Sequence, residues 1–192
     1  MTKLGILFFA DRLPPLIGGM EMHAKYFIEY FINHSKFPIL SIITKNLKGQ
    51  DCIILDGKLK LINLNKLSSL FNPAIIFFNS GRWIENLKKL RDIFPKVQFI
   101  YRTGGNEILK ASLISKTIPN YIMRRSYWVD ILNNTIDLLI TNSTYTETRL
   151  SQIDIKCPFT RFVGGVNVSV LKAARILDNK PFTIFCAARF VP

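Results

Sequence analysis

The chain has 192 residues, 48% hydrophobic and 12% aromatic, and its 26 Lys and Arg outnumber 13 Asp and Glu for a net charge of +13. That apolar content excludes a disordered chain, and the length allows one substantial core. No run approaches the roughly 18 apolar residues of a spanning helix, Lys3 leading straight into a strand pattern is not a secretory leader, and three widely spaced cysteines (Cys52, Cys157 and Cys186) argue against a structural zinc or iron–sulfur site and fit a reducing cytoplasm.

In chain order, residues 3–10 form a short apolar run suited to a buried parallel strand. Pro14 and Pro15 hold the next segment extended, and Gly18-Gly19 permits a sharp turn. Met20, His23, Ala24, Phe27, Ile28 and Phe31 then recur at helical spacing, which predicts a helix over 20–33 with one apolar face. A second strand is predicted over 37–44 with Pro38 at its start. Leu59 to Ile62 reads as a short strand and 63–72 as a loop or brief helix. Ala74 to Phe78 is a strong strand ending in Asn79-Ser80-Gly81. Trp83, Leu87, Leu90 and Phe94 mark a helix stopped before Pro95. Val97 to Tyr101 is another strand, leading into Arg102-Thr103-Gly104-Gly105-Asn106-Glu107.

A basic, aromatic helix is predicted from Pro119 to Asn133, and a strand over 137–141. Asn142-Ser143-Thr144 opens the next helix, where Thr144 and Glu147 have capping-box spacing and Ser143 is an equally good cap. Phe162 to Asn167 closes the domain. The alternation of strand and helix predicts a Rossmann-like α/β fold, a mainly parallel sheet with helices on both faces.

A glycine loop between the first strand and its helix lies where open parallel sheets bind ligands, and helix-start amides there donate to phosphate oxygens. The spacing matches neither G-x-G-x-x-G nor G-x-x-x-x-G-K-[ST], so ordinary dinucleotide binding and P-loop hydrolysis fit poorly. By itself a double glycine also serves as a plain turn. The positive charge reads as a solvated lysine face, or as a surface for an anionic membrane or a polyphosphate-bearing substrate. Nucleic acid is not predicted, because no zinc finger, RNP-type aromatic motif or GXXG clamp accompanies the charge.

Pro14 through His23 resembles the N-terminal signature of the glycosyltransferase family 4 enzymes. Arg102 through Glu107, Asp137 through Ser143, and Val163 through Asn167 agree with that family in order. Ala188-Arg189-Phe190-Val191-Pro192 resembles the strand and turn that open the family's second domain. The resemblance implies the N-terminal half of a GT-B fold, in which two Rossmann-like domains face each other across a cleft. Residues 1–166 would form the acceptor-side domain, 167–181 the connection, and 182–192 the truncated start of the donor-binding domain.

The activity implied is transfer of a sugar, with retention of configuration, from a nucleotide-diphosphate sugar to a lipid-linked saccharide or growing surface polysaccharide. No bound metal or further cofactor is implied. Gly18 and Gly19 would approach the donor diphosphate, and Arg189 would contact it. The lysine and paired glutamates that complete the family's donor site would lie beyond Pro192, so little turnover is expected of these residues alone. Glu21 and Glu29 mimic the spacing of that pair but lack its glycine-aromatic context. Glu21 could orient the glycine loop or meet a substrate hydroxyl, whereas Glu29 reads as a solvated helix residue. Some relatives carry a histidine near the strand end at Arg102, and this chain has none there.

Arg102 could bind a phosphate or carboxylate in a fork, with Asn106 or Glu107 on sugar hydroxyls; alternatively Arg102 pairs with Glu107 and fixes the loop. Asn142 and Ser143 read either as a helix cap or as lining of the same cleft. Arg124, Arg125, Tyr127 and Trp128 form a basic-aromatic cluster suited to lipid headgroups, unless Ile122, Val129 and Leu132 pack that helix onto the sheet. His23 reads as a packed histidine with one ring nitrogen in a hydrogen bond and His34 as exposed, and two distant histidines make no metal centre. A cytoplasmic location, peripheral on the inner leaflet and serving lipopolysaccharide, capsule or related envelope-glycan assembly, follows from charge and resemblance together. Two other classes stay open. One is a non-catalytic acceptor-binding or partner subunit, and the other a nucleotide-binding oxidoreductase.

Overall fold

The computed structural model describes residues 5–11, 13, 19–34, 38–45, 48–55, 57–79, 81–103 and 121–162, without the side chains of 34, 82 and 121–126. Its strands are β1 (Ile6–Phe9), β2 (Ile39–Lys45), β3 (Asp51–Leu55), β4 (Lys58–Leu61), β5 (Ile75–Phe78), β6 (Gln98–Arg102), β7 (Leu138–Thr141) and β8 (Phe159–Arg161). Its helices are α1 (Gly19–His34), α2 (Leu67–Leu70), α3 (Leu87–Ile93), α4 (Tyr121–Thr135) and α5 (Thr144–Ser151), with 3₁₀ turns at Leu64–Lys66 and Gly81–Asn86 leading into α2 and α3. Together the strands make one eight-stranded sheet in the order β4-β3-β2-β1-β5-β6-β7-β8.

Six strands, from β2 across to β8, run parallel, and β3 and β4 add to the β2 edge as antiparallel partners. The fold is therefore Rossmann-like α/β, as predicted, with a mixed edge that the prediction lacked. Strand β3 was not anticipated, and the segment now reads as a hairpin. Gly57, at φ 72°, takes the left-handed conformation that a tight connection between β3 and β4 requires.

β1 is buried at every position because it is covered on both faces. One face carries the larger core: Leu7, Phe9, Ile43, Ile53, Ile76, Phe78, Phe99, Tyr101 and Leu139 meet residues of α2, α3, α4 and α5. The other face receives α1, with Ile6, Phe8, Ala10 and Phe77 against Ala24, Phe27, Ile28 and Phe31. The Phe27 ring lies 4.4 Å from that of Phe77 and 5.0 Å from that of Phe8. The helical stripe read from the sequence is thus the face α1 buries.

The amino-end edge of the sheet is tied by Arg91 of α3. Its Nη1 donates to Val97 O at 2.8 Å, its Nε and Nη2 donate to Thr135 O at the end of α4, and Nη2 pairs with Asp137 at 2.7 Å. Asp137 in turn accepts the Phe99 amide at 2.7 Å. One guanidinium so closes α4 and fixes its exit into β7. In α5 the cap is Ser143, whose Oγ accepts from Thr146 N at 3.2 Å. Thr144 is the first helical residue, and Glu147 makes no capping box with it. Instead Glu147 turns to Thr141 Oγ1 at 3.1 Å and to Arg161 at 3.7 Å.

Candidate functional site

Strand order reverses at β1, since the chain goes from it to β2 on one side and later to β5 on the other. In open α/β sheets the crevice outside the carboxyl ends of the strands at such a point is where ligands bind. Here those ends carry Ala10 and Asp11 after β1, Asn79 after β5, and Arg102 and Thr103 at β6. Their backbone is held by the ladder. Asn79 N donates to Phe9 O at 2.8 Å, Ala10 N to Ile43 O at 2.8 Å, and Thr103 N to Ile140 O at 3.0 Å.

Two side chains fasten the first turn of α1 to this edge. Asn79 Nδ2 donates to the Met20 carbonyl at 3.0 Å, and Arg102 Nη1 contacts Met20 Sδ at 2.8 Å. Both residues are buried, Asn79 at 2% exposure and Arg102 at 7%. The start of α1 is consequently held against the carboxyl ends of β5 and β6, with Gly19 exposed. Below it, Trp83 is wholly buried. Its Nε1 donates to Ala10 O at 3.0 Å, and Lys45 Nζ, paired with Asp51 at 2.7 Å, sits 4.3 Å from the ring centre.

His23 stands one turn into α1, between the rings of Phe27 and Phe162, with centroids at 6.1 and 5.9 Å. Burial, with the Arg102 charge adding to it, pulls its pKa down from 6.5 to about 4, against an opposing contribution from the Asn79 side chain. That contribution is weak in geometry. Neither His23 Nδ1 nor Asn79 Oδ1 completes a hydrogen bond among the described residues. The imidazole is therefore neutral at pH 7 and packed, as the sequence reading preferred, but among the described residues Nδ1 does not make the hydrogen bond that reading gave the ring.

The sign of its linkage follows. Between pH 6.5 and about 4 the unfolded chain holds a proton on His23 that the folded chain refuses, so stability falls as the pH falls through that window. Full desolvation would make this about 3 kcal/mol, and solvent screening of a half-buried ring reduces it to about 1–2 kcal/mol. His23→Gln should lose less stability than the parent between pH 7 and pH 4.5, measured by urea denaturation at both values. Equal losses in the two proteins would remove His23 from the acid response.

Of the site residues singled out in the sequence, Gly19, Glu21, Arg102, Trp128, Asn142 and Ser143 are described. Gly19 and Glu21 lie in the first turn of α1 and Arg102 lies beneath it. Asn142 and Ser143 follow β7, two strands away from β5, and both act on α5: Asn142 Oδ1 accepts from Thr146 Oγ1 at 2.8 Å. Trp128 of α4 is half-buried against the larger core, while Tyr127 is 49% exposed beside Lys88. Gly18, Asn106, Glu107 and Arg189 lie outside the described residues, as do the side chains of Arg124 and Arg125 and the segments 167–181 and 182–192. Sequence reasoning missed Asn79 and Met20. The available signal was Asn79's place directly after the strongest apolar run, but its meaning depends on strand order.

No described helix is long and apolar enough to cross a membrane. No protein-family model matches the chain, and no curated protein matches it significantly. What the geometry establishes is a Rossmann-like sheet with a helix start fastened over its switch point, an architecture shared by many nucleotide-binding catalytic domains.

Proposed function

We propose that this domain is the acceptor-side half of a family 4 type glycosyltransferase, and that its glycine loop and the start of α1 face the diphosphate of a nucleotide sugar. The acceptor is a lipid-linked saccharide or a growing surface polysaccharide, met at the cytoplasmic membrane face, and transfer retains configuration. The donor's diphosphate leaves with growing negative charge, which amides at a helix start and basic side chains stabilise. In this reading Gly18 and Gly19 give the phosphates access to backbone amides. Asn106 and Glu107 face the sugars, Arg102 acts from beneath the first turn of α1, and Arg189 reaches the diphosphate from the second domain. Asn79 and Arg102 keep the helix start fixed while charge develops.

One observation carries the reading. A Cβ added at Gly19 meets no atom of the described residues within 4 Å, and Gly19 does not have a left-handed φ. Nothing among the described residues therefore demands glycine there, whereas close approach of a ligand to the backbone would. Gly19→Ala and Gly19→Val test this in the full-length protein. With uridine-, guanosine- and adenosine-diphosphate sugars, both variants should melt like the parent and bind the preferred donor about tenfold or more weakly. Unchanged donor binding, or lost stability in Gly19→Ala, would count against the reading.

A further inference from the structure

The opposite end of the sheet carries a separate surface. β4 is the last strand in the order, and its four residues, Lys58-Leu59-Lys60-Leu61, are all exposed. Leu59 is 53% and Leu61 66% accessible, which is high for leucines in a strand.

Register fixes what this edge offers. Ile62 N donates to Asp51 O at 3.0 Å, and the pairs continue as Leu61 with Cys52, Lys60 with Ile53, Leu59 with Ile54 and Lys58 with Leu55. In an antiparallel ladder, hydrogen-bonded and non-hydrogen-bonded pairs alternate. Ile62, Lys60 and Lys58 thus turn their main-chain groups inward to β3. Leu59 and Leu61 point their N–H and C=O outward, at the edge that no described strand covers. The side chains divide by face in the same way. Lys58 and Lys60 share the face of Ile53, which belongs to the larger core, and Leu59 and Leu61 share the face of Ile54 and Ile42, the α1 side.

We infer that β4 is a docking edge for an extended peptide segment with alternating acidic and apolar residues, which adds to the sheet as a further strand. Such a segment would complete the outward N–H and C=O groups of Leu59 and Leu61. Its carboxylates would lie beside Lys58 and Lys60 on one face, and its apolar side chains beside Leu59 and Leu61 on the other, where direct and diagonal cross-strand pairs both favour the match. A second copy of this chain is a poor occupant, because edge-to-edge pairing of two β4 strands sets lysine against lysine in chains already at +13. A lipid surface fits less well too, since leucines and lysines lie on opposite faces of the sheet and a bilayer meets only one.

The test uses the full chain and a labelled, end-blocked octapeptide of alternating glutamate and valine, with binding read by fluorescence anisotropy. Saturable binding is expected, and it should weaken about fivefold or more for Leu59→Pro, which removes an outward N–H without touching the β3 ladder. Lys58→Glu with Lys60→Glu should reverse preference towards a lysine–valine octapeptide. Absence of binding at millimolar peptide would overturn the inference. So would binding indifferent to both variants while their circular dichroism matches the parent, or concentration-dependent dimerisation abolished by Leu59→Pro.

Discussion

Trp83→Ala is expected to cost about 3–5 kcal/mol of folding stability, the range for removing a fully buried large aromatic side chain. The indole has no exposed surface and meets Phe9 edge-on at 5.0 Å between centroids. It also holds the carbonyl that directly follows β1, through Nε1 to Ala10 O at 3.0 Å. Alanine leaves a cavity under the sheet's carboxyl edge, an Ala10 carbonyl without its donor, and Lys45 without the ring its ammonium covers. Trp83→Phe separates these effects. It keeps most of the packing and loses the N–H, so a smaller cost of about 1–3 kcal/mol is expected. Urea denaturation followed by circular dichroism measures both. A loss under about 1 kcal/mol for Trp83→Ala would contradict burial of the indole.

Trp83 also shows what the sequence can and cannot convey. Its place among Leu87, Leu90 and Phe94 identified the inward face of a helical segment, and the structure buries all four. Its bond to Ala10 could not be read, because nothing local says that the segment after β5 packs beneath β1. The same limit governs the crevice. Asn79 and Arg102 each stood visibly at a strand end, yet only the order β1-β5-β6 puts both under Met20. The missed hairpin has a different cause. Asp56-Gly57 between an isoleucine-rich run and Leu59 is a turn signal, but the mostly polar stretch 46–51 obscured the short strand beside it. β1 and α1 were legible because each is decided by local pattern, a solid apolar run and a 3.6-residue stripe.

A methyl group at Gly5 should be the other severe change. There a Cβ would stand 2.5 Å from Pro38 O and 2.7 Å from Leu40 Cγ and Cδ2. Leucine can turn aside, but a backbone oxygen cannot, and this oxygen already accepts from Ile6 N at 2.9 Å. Nor is there slack on the far side, where Gly5 O accepts from Ala74 N at 2.8 Å and Ile75 N at 3.3 Å. Gly5 is thus wedged where β1 enters between β2 and β5. Relief requires β1 to part from one neighbour, so Gly5→Ala should cost about 3 kcal/mol, overpacking plus a strained or lost ladder bond. Gly19→Ala is the internal control, because the same methyl group there meets no atom of the described residues within 4 Å. Thermal melts of the two variants side by side should show a large drop for Gly5→Ala and none for Gly19→Ala. Equal melting temperatures would mean that β1 and β2 do not approach each other at Gly5 as closely as the structure places them.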